Sequence, residues 1–73
     1  MATEEQAVDI AAQVRALAQF LTERDPTKNH FAGVYNELYR RFGVSSYKNV
    51  RQGRYGEVLA FLEDWRAKVA GAG

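Results

Sequence analysis

The stretch Leu38-Tyr39-Arg40-Arg41-Phe42-Gly43-Val44-Ser45-Ser46-Tyr47-Lys48-Asn49-Val50 decides the fold. Leu38 and Phe42, one helical repeat apart, close an apolar face, and Gly43 supplies the residue type that most readily turns left-handed and ends a helix. Two serines and a tyrosine then begin a new segment. Val44 to Val50 is too short and too polar for a pair of strands. It is predicted to be an irregular corner containing one helical turn, with Val44, Tyr47 and Val50 packed down onto a core. Arg40, Arg41, Lys48 and Arg51 flank this corner, and no acidic residue stands between Glu37 and Glu57.

Working back from the corner, Phe31, Val34, Tyr35, Leu38 and Phe42 share one face at helical spacing, and Asn29 is a good N-cap. Arg40 points away from that face and Arg41 lies to its side. A helix is predicted over 29–42. Further upstream, Thr3 and Gln6 have capping-box spacing, with Glu4 and Glu5 at the positive end of the helix dipole. Ile10, Val14, Leu17 and Leu21 then form one stripe beside Ala7, Ala11 and Ala18. Val8 falls on the far side of that wheel, and Phe20 lies off the stripe's edge. Asp25-Pro26 stops this helix, predicted over 4–24, because a residue before proline avoids helical geometry.

Downstream, Tyr55, Val58, Leu62, Trp65 and Val69 form a third stripe, flanked by Leu59 and Phe61. A helix is predicted over 52–69. Gly53 and Gly56 weaken its first turns by roughly 1 kcal/mol each relative to alanine, a cost that invites close approach of backbone or partner. Residues 70–73 are expected to fray. The fold class is all-α, a three-helix domain spanning 1–73. Its expected core is Ile10, Val14, Leu17, Leu21, Phe31, Val34, Tyr35, Leu38, Phe42, Val44, Tyr47, Val50, Val58, Leu62 and Trp65.

The 73 residues make one small domain, in which packing seldom leaves more than roughly 3–5 kcal/mol of net stability. Cysteine is absent, so neither disulfides nor thiolate metal sites reinforce it. No apolar run approaches the ~20 residues that span a bilayer, and the acidic N-terminus lacks the order of a signal peptide. A cytoplasmic protein, in a bacterial host cell, is the expectation. The net charge of +1 is unevenly distributed: residues 1–25 carry −3, residues 26–56 carry +5 and residues 57–73 carry −1. Partner choice follows the local excess.

Catalytic chemistry has little to work with. The single histidine, His30, sits at the entry to the second helix with no carboxylate spaced to orient it, and a surface or capping role suits it better. Glu63 and Asp64 are neighbours on a helix and point apart. Gly53-x-x-Gly56 follows no strand and is no phosphate loop. No enzyme activity, cofactor, metal or small-molecule substrate is expected.

The turn around Gly43 resembles that of a helix-turn-helix, although such motifs favour a small residue where Tyr39 stands and an aliphatic where Asn49 stands. The candidate nucleic-acid-binding residues are Arg40, Arg41, Lys48, Arg51 and Arg54, each able to neutralise a phosphate and release counterions. The bland reading is a solvated basic face paired with acids of the first helix. Tyr47 is read as a half-buried plug. Phe20 and Phe61, at stripe edges, are the candidate protein-interface residues, for self-association or for binding a repressor protein.

The pattern Phe31-x-x-Val34-Tyr35-x-x-Leu38-x-x-x-Phe42-Gly43-Val44-Ser45-Ser46-Tyr47-Lys48-Asn49-Val50, followed by Tyr55, Leu59, Phe61, Leu62 and Trp65, resembles the ORF-six-C domain that ends many phage antirepressor and BRO-type regulators. The resemblance runs from about residue 8 to residue 66, and its most specific parts are Phe42 to Lys48 and the closing Trp65. It implies a regulatory module associated with transcriptional control of phage lysogeny, a domain suspected of binding DNA that usually follows an N-terminal DNA-binding or antirepressor module. A stand-alone protein and an excised domain are both compatible with these residues. Tyr47, Val50 and Trp65 are shared positions of structural character. The family often carries a proline near Arg51 to Gly53, where this chain departs. DNA contact through the basic corner is the leading expectation, and protein interaction is the alternative.

Overall fold

The computed structural model describes residues 3–71 and is all-helical over them, without strands. Helix α1 runs Glu4–Arg24, α2 His30–Phe42 and α3 Tyr55–Gly71, with short 3-10 turns at Tyr47–Asn49 and Gln52–Arg54. Each boundary has a local cause. The Thr3 hydroxyl accepts from the Gln6 amide at 3.1 Å while the Gln6 side chain accepts from the Thr3 amide at 3.1 Å, completing the capping box. Asn29 caps α2 by accepting from the Ala32 amide at 3.3 Å. Gly43 ends α2 with φ of 66°, and the Val44 amide turns back to the Tyr39 carbonyl at 3.0 Å. A Cβ at Gly43 would meet no atom within 4 Å, so what the position demands of glycine is its backbone, and a left-handed alanine there costs roughly 1–2 kcal/mol.

Helix α1 is the spine: both α2 and α3 pack along it, and the first 3-10 turn rests on it as well. Its stripe of Ile10, Val14, Leu17 and Ala18 meets Val34, Leu38 and Phe42 of α2, Val50 of the corner, and Val58 and Leu62 of α3 in one buried cluster. Leu21, Tyr35, Val44, Tyr47 and Trp65 pack against this cluster while staying partly exposed. Phe31 does not join the core as expected. At 40% exposure it occupies the first turn of α2, one turn before Val34, where the buried cluster begins. Val8, on the outer side of α1, is 64% exposed.

The third helix starts later than its sequence pattern suggested. Residues 52–54 form a 3-10 turn, closed by the Arg54 amide donating to the Arg51 carbonyl at 2.9 Å, and regular helix begins at Tyr55. The glycine-containing segment tightens before it enters the α-helix. At the other end α3 continues through Gly71, so Ala70 and Gly71 are helical, and the rest of the tail expected to fray, Ala72 and Gly73, lies outside the described residues.

Candidate nucleic-acid interface

The corner is held by its own polar side chains. Ser46 caps the first 3-10 turn, accepting from the Lys48 amide at 3.3 Å, and the Asn49 amide group donates to the Ser45 hydroxyl at 3.4 Å. Val50, 1% exposed, plugs the core beneath them, and Tyr47 stacks at 5.7 Å from Tyr35, the half-buried plug expected of it. The chain then extends through Arg51 into the second 3-10 turn.

Three of the five candidate basic residues, Arg41, Arg51 and Arg54, line two adjoining depressions that share Phe42. The Arg54 guanidinium lies 4.7 Å over the Phe42 ring and donates to Glu57 at 2.8 Å. Arg41 lies 5.2 Å over Phe61. Arg51 joins Arg54 in a depression of about 280 Å³ floored by Phe42 and Val50. The other two stand apart from this group. Arg40, on the outer face of α2 with its side chain 83% exposed, is 3.8 Å from Glu37, and Lys48 rides exposed on the first 3-10 turn.

The acids of α1 do not neutralise the corner. Every ion pair among the described residues is local: Lys28–Asp25 at 3.9 Å, Arg40–Glu37 at 3.8 Å, Arg54–Glu57 at 2.8 Å and Lys68–Asp64 at 3.0 Å. Exposed pairs of this kind add little stability. Arg41, Lys48 and Arg51 have no carboxylate partner among the described residues.

Beside the basic cluster, α2 and α3 diverge from their shared support on α1 and leave a groove of about 480 Å³. Phe42 meets Phe61 edge-on with centroids 5.9 Å apart, and Phe61 lies 5.8 Å from Trp65. Arg41, Arg54 and Lys68 also line this groove, together with Glu57 and Asp64, which pair with Arg54 and Lys68 and leave Arg41 as its unpaired cation among the described residues. Sequence reasoning took Trp65 for core and overlooked Lys68. The signal was present in Phe61, Trp65 and Lys68, which follow one another at helical spacing down one side of α3.

The two candidate interface aromatics are half-buried, each with an arginine against its ring. Arg24 and Arg66 both lie against the Phe20 ring, at 4.9 Å and 5.2 Å from its centroid. Phe61 packs against the buried cluster and carries Arg41 above it. His30 has the capping-type role expected: its Nε2 lies 2.7 Å from the Asp25 carbonyl, and since a carbonyl only accepts, that nitrogen carries the proton. Thr27 donates to the Asp25 carboxylate from its hydroxyl and its amide, and these bonds hold that carboxyl below the usual range.

Two tyrosines carry a pH signature. The Tyr55 hydroxyl donates to Asp9 across the α1–α3 contact, and that bond raises its phenol above the ordinary value. Burial raises Tyr35 in the same direction, with Tyr47 and Tyr39 adding to the effect. A phenol whose folded-state value is raised stabilises the fold fully below its unfolded value of about 10, and that stability is lost as pH rises through the folded value. Melting midpoints followed by circular dichroism will therefore fall as the pH is raised above about 10, more steeply for the parent than for a Tyr35→Phe, Tyr55→Phe double variant. An equal fall in both would contradict these assignments.

No group of three or more His, Cys, Asp or Glu side chains placed to hold a metal ion occurs among the described residues. No described helix is long and apolar enough to cross a membrane. A family model described as the ORF6C domain matches residues 5–71 of the chain. No curated protein and no solved structure matches it.

Proposed function

The chain belongs to the ORF6C domain family, and we propose that it is a phage-type regulatory module that contacts nucleic acid through the corner between α2 and α3. The observation that carries this reading is the grouping of Arg41, Arg51 and Arg54 about two adjoining depressions that share Phe42, with Arg41, Arg51 and Lys48 lacking any acidic partner among the described residues. Arg41 and Arg51, uncompensated in charge, beside Arg54, which a ring contact and Glu57 hold in place, suit phosphate oxygens. The domain acts by binding, without catalysis or a cofactor.

The five basic residues do not contribute equally. In anisotropy titrations against labelled DNA, Arg51→Ala weakens binding and lowers the slope of log affinity against log salt by about 0.7–0.9, one phosphate's share. Lys48→Ala has the same sign of effect. Arg40→Ala changes both quantities less, because Arg40 faces away from the cluster and is held near Glu37. An Arg40 effect equal to that of Arg51 would remove the corner from the account, as would an absence of salt-dependent binding at micromolar protein.

Protein interaction is the second reading. Beside the partly exposed Phe20 and Phe61, what favours it is Val8, 64% exposed between Glu4, Glu5 and Asp9 on the outer face of α1. That acidic, apolar patch suits a basic partner surface on a repressor or on another copy of the chain.

A further inference from the structure

The groove beside the basic corner has features that phosphate contact alone does not use. Its wall is aromatic, built from Phe42, Phe61 and Trp65 in successive edge and tilted contacts. Two of these rings are already layered with guanidinium planes, Arg54 over Phe42 at 4.7 Å and Arg41 over Phe61 at 5.2 Å. Trp65 packs against the core while staying partly exposed. We propose that this groove takes an unpaired base of a single-stranded nucleic acid, stacked on Trp65 or on an arginine plane, while Arg41 and Arg51 hold the flanking phosphates. The inference rests on the nucleic-acid reading above and narrows it from nucleic acid in general to single strands.

The choice of occupant follows from charge and shape together. An aromatic groove with two arginines beside it that are unpaired among the described residues, Arg41 on its rim and Arg51 in the adjoining depression, matches a ligand that alternates flat π-faces with negative charges, and a single strand does so. Bases stack on aromatic side chains and on arginine planes alike. In a duplex the base faces are covered by neighbouring bases, so it would meet the arginines and leave the aromatic wall unused.

Trp65 is the sole tryptophan of the chain, so its fluorescence reports the groove directly. An oligothymidylate, a duplex of the same length and a single strand of abasic sugar-phosphate are titrated against the intact protein. The single strand is expected to quench Trp65 and to bind about tenfold more tightly than the duplex or the abasic strand, the scale of one base–aromatic stack. Ala60 lines the groove and is exposed on α3, clear of the core. Ala60→Glu is therefore expected to keep parental helicity, abolish the quench and remove the preference for single strands. Duplex binding as tight as single-strand binding, or saturation without any change in Trp65 emission, overturns the inference and leaves the basic corner standing. A Trp65 emission that shifts with protein concentration in the absence of DNA overturns it in favour of a second copy in the groove. Failure of all three oligonucleotides to bind overturns both this inference and the proposed function.

Discussion

Leu38→Ala abolishes the cooperative thermal transition of the domain or lowers its midpoint by well over ~10 °C. Leu38 is fully buried at the meeting of α1 and α2, within the cluster of Ile10, Val14 and Val34. Truncating such a leucine costs roughly 2–5 kcal/mol, a transfer loss plus a cavity the surroundings only partly fill. A domain of this size holds roughly 3–5 kcal/mol in all, and it has no disulfide to fall back on. The cost therefore rivals the whole stability. Val8→Ala, at an exposed position of α1, makes the control, with an expected change within about 0.5 kcal/mol. A Leu38→Ala melt that overlays the parent's would contradict the packing described above.

The second large effect is on binding. The triple variant Arg41→Gln, Arg51→Gln, Arg54→Gln removes three charges, and with them the guanidinium contacts over Phe42 and Phe61, while keeping a polar side chain at each position. Losing three phosphate contacts lowers the salt slope by about two units and weakens binding on the order of 100-fold or more at low salt. Helicity remains near the parental value and the melting midpoint falls modestly, because the one ion pair broken, Arg54–Glu57, is exposed and each lost ring contact is worth about 0.5–1 kcal/mol. Unchanged affinity in a folded triple variant would place the nucleic-acid contact elsewhere.

What the sequence disclosed was mostly what periodicity and caps encode. The Thr3–Gln6 box, the Ile10–Val14–Leu17 stripe, the Asn29 cap and the Gly43 stop each act within a few residues, and the structure uses all of them. The departures come from tertiary placement. Phe31 lies on the stripe of α2 but beyond the end of the core, and a helical wheel has no coordinate for where a neighbour stops. Phe20 has Arg66 from α3 against its ring, and Tyr55 is tied to Asp9 across 46 residues, pairings that no local pattern announces. The candidate site was legible in its charges and illegible in its grouping. The gap of acids around Gly43 pointed to the corner, but only the path of the chain through the two 3-10 turns separates Arg41, Arg51 and Arg54 from Arg40. The aromatic groove was hidden because a stripe residue such as Trp65 looks the same in sequence whether its outer face is buried or bare.

The central claim, that the corner between α2 and α3 is the nucleic-acid contact, is tested most directly by amide chemical shifts of the isotope-labelled protein titrated with a single-stranded oligonucleotide. The account predicts salt-sensitive shifts confined to Arg41 through Gly43, Lys48 through Gly56 and the Phe61–Lys68 side of α3, with the α1 residues around Val8 unmoved. Largest shifts at Glu4, Glu5, Val8 and Asp9, or no shifts at saturating oligonucleotide, would contradict it.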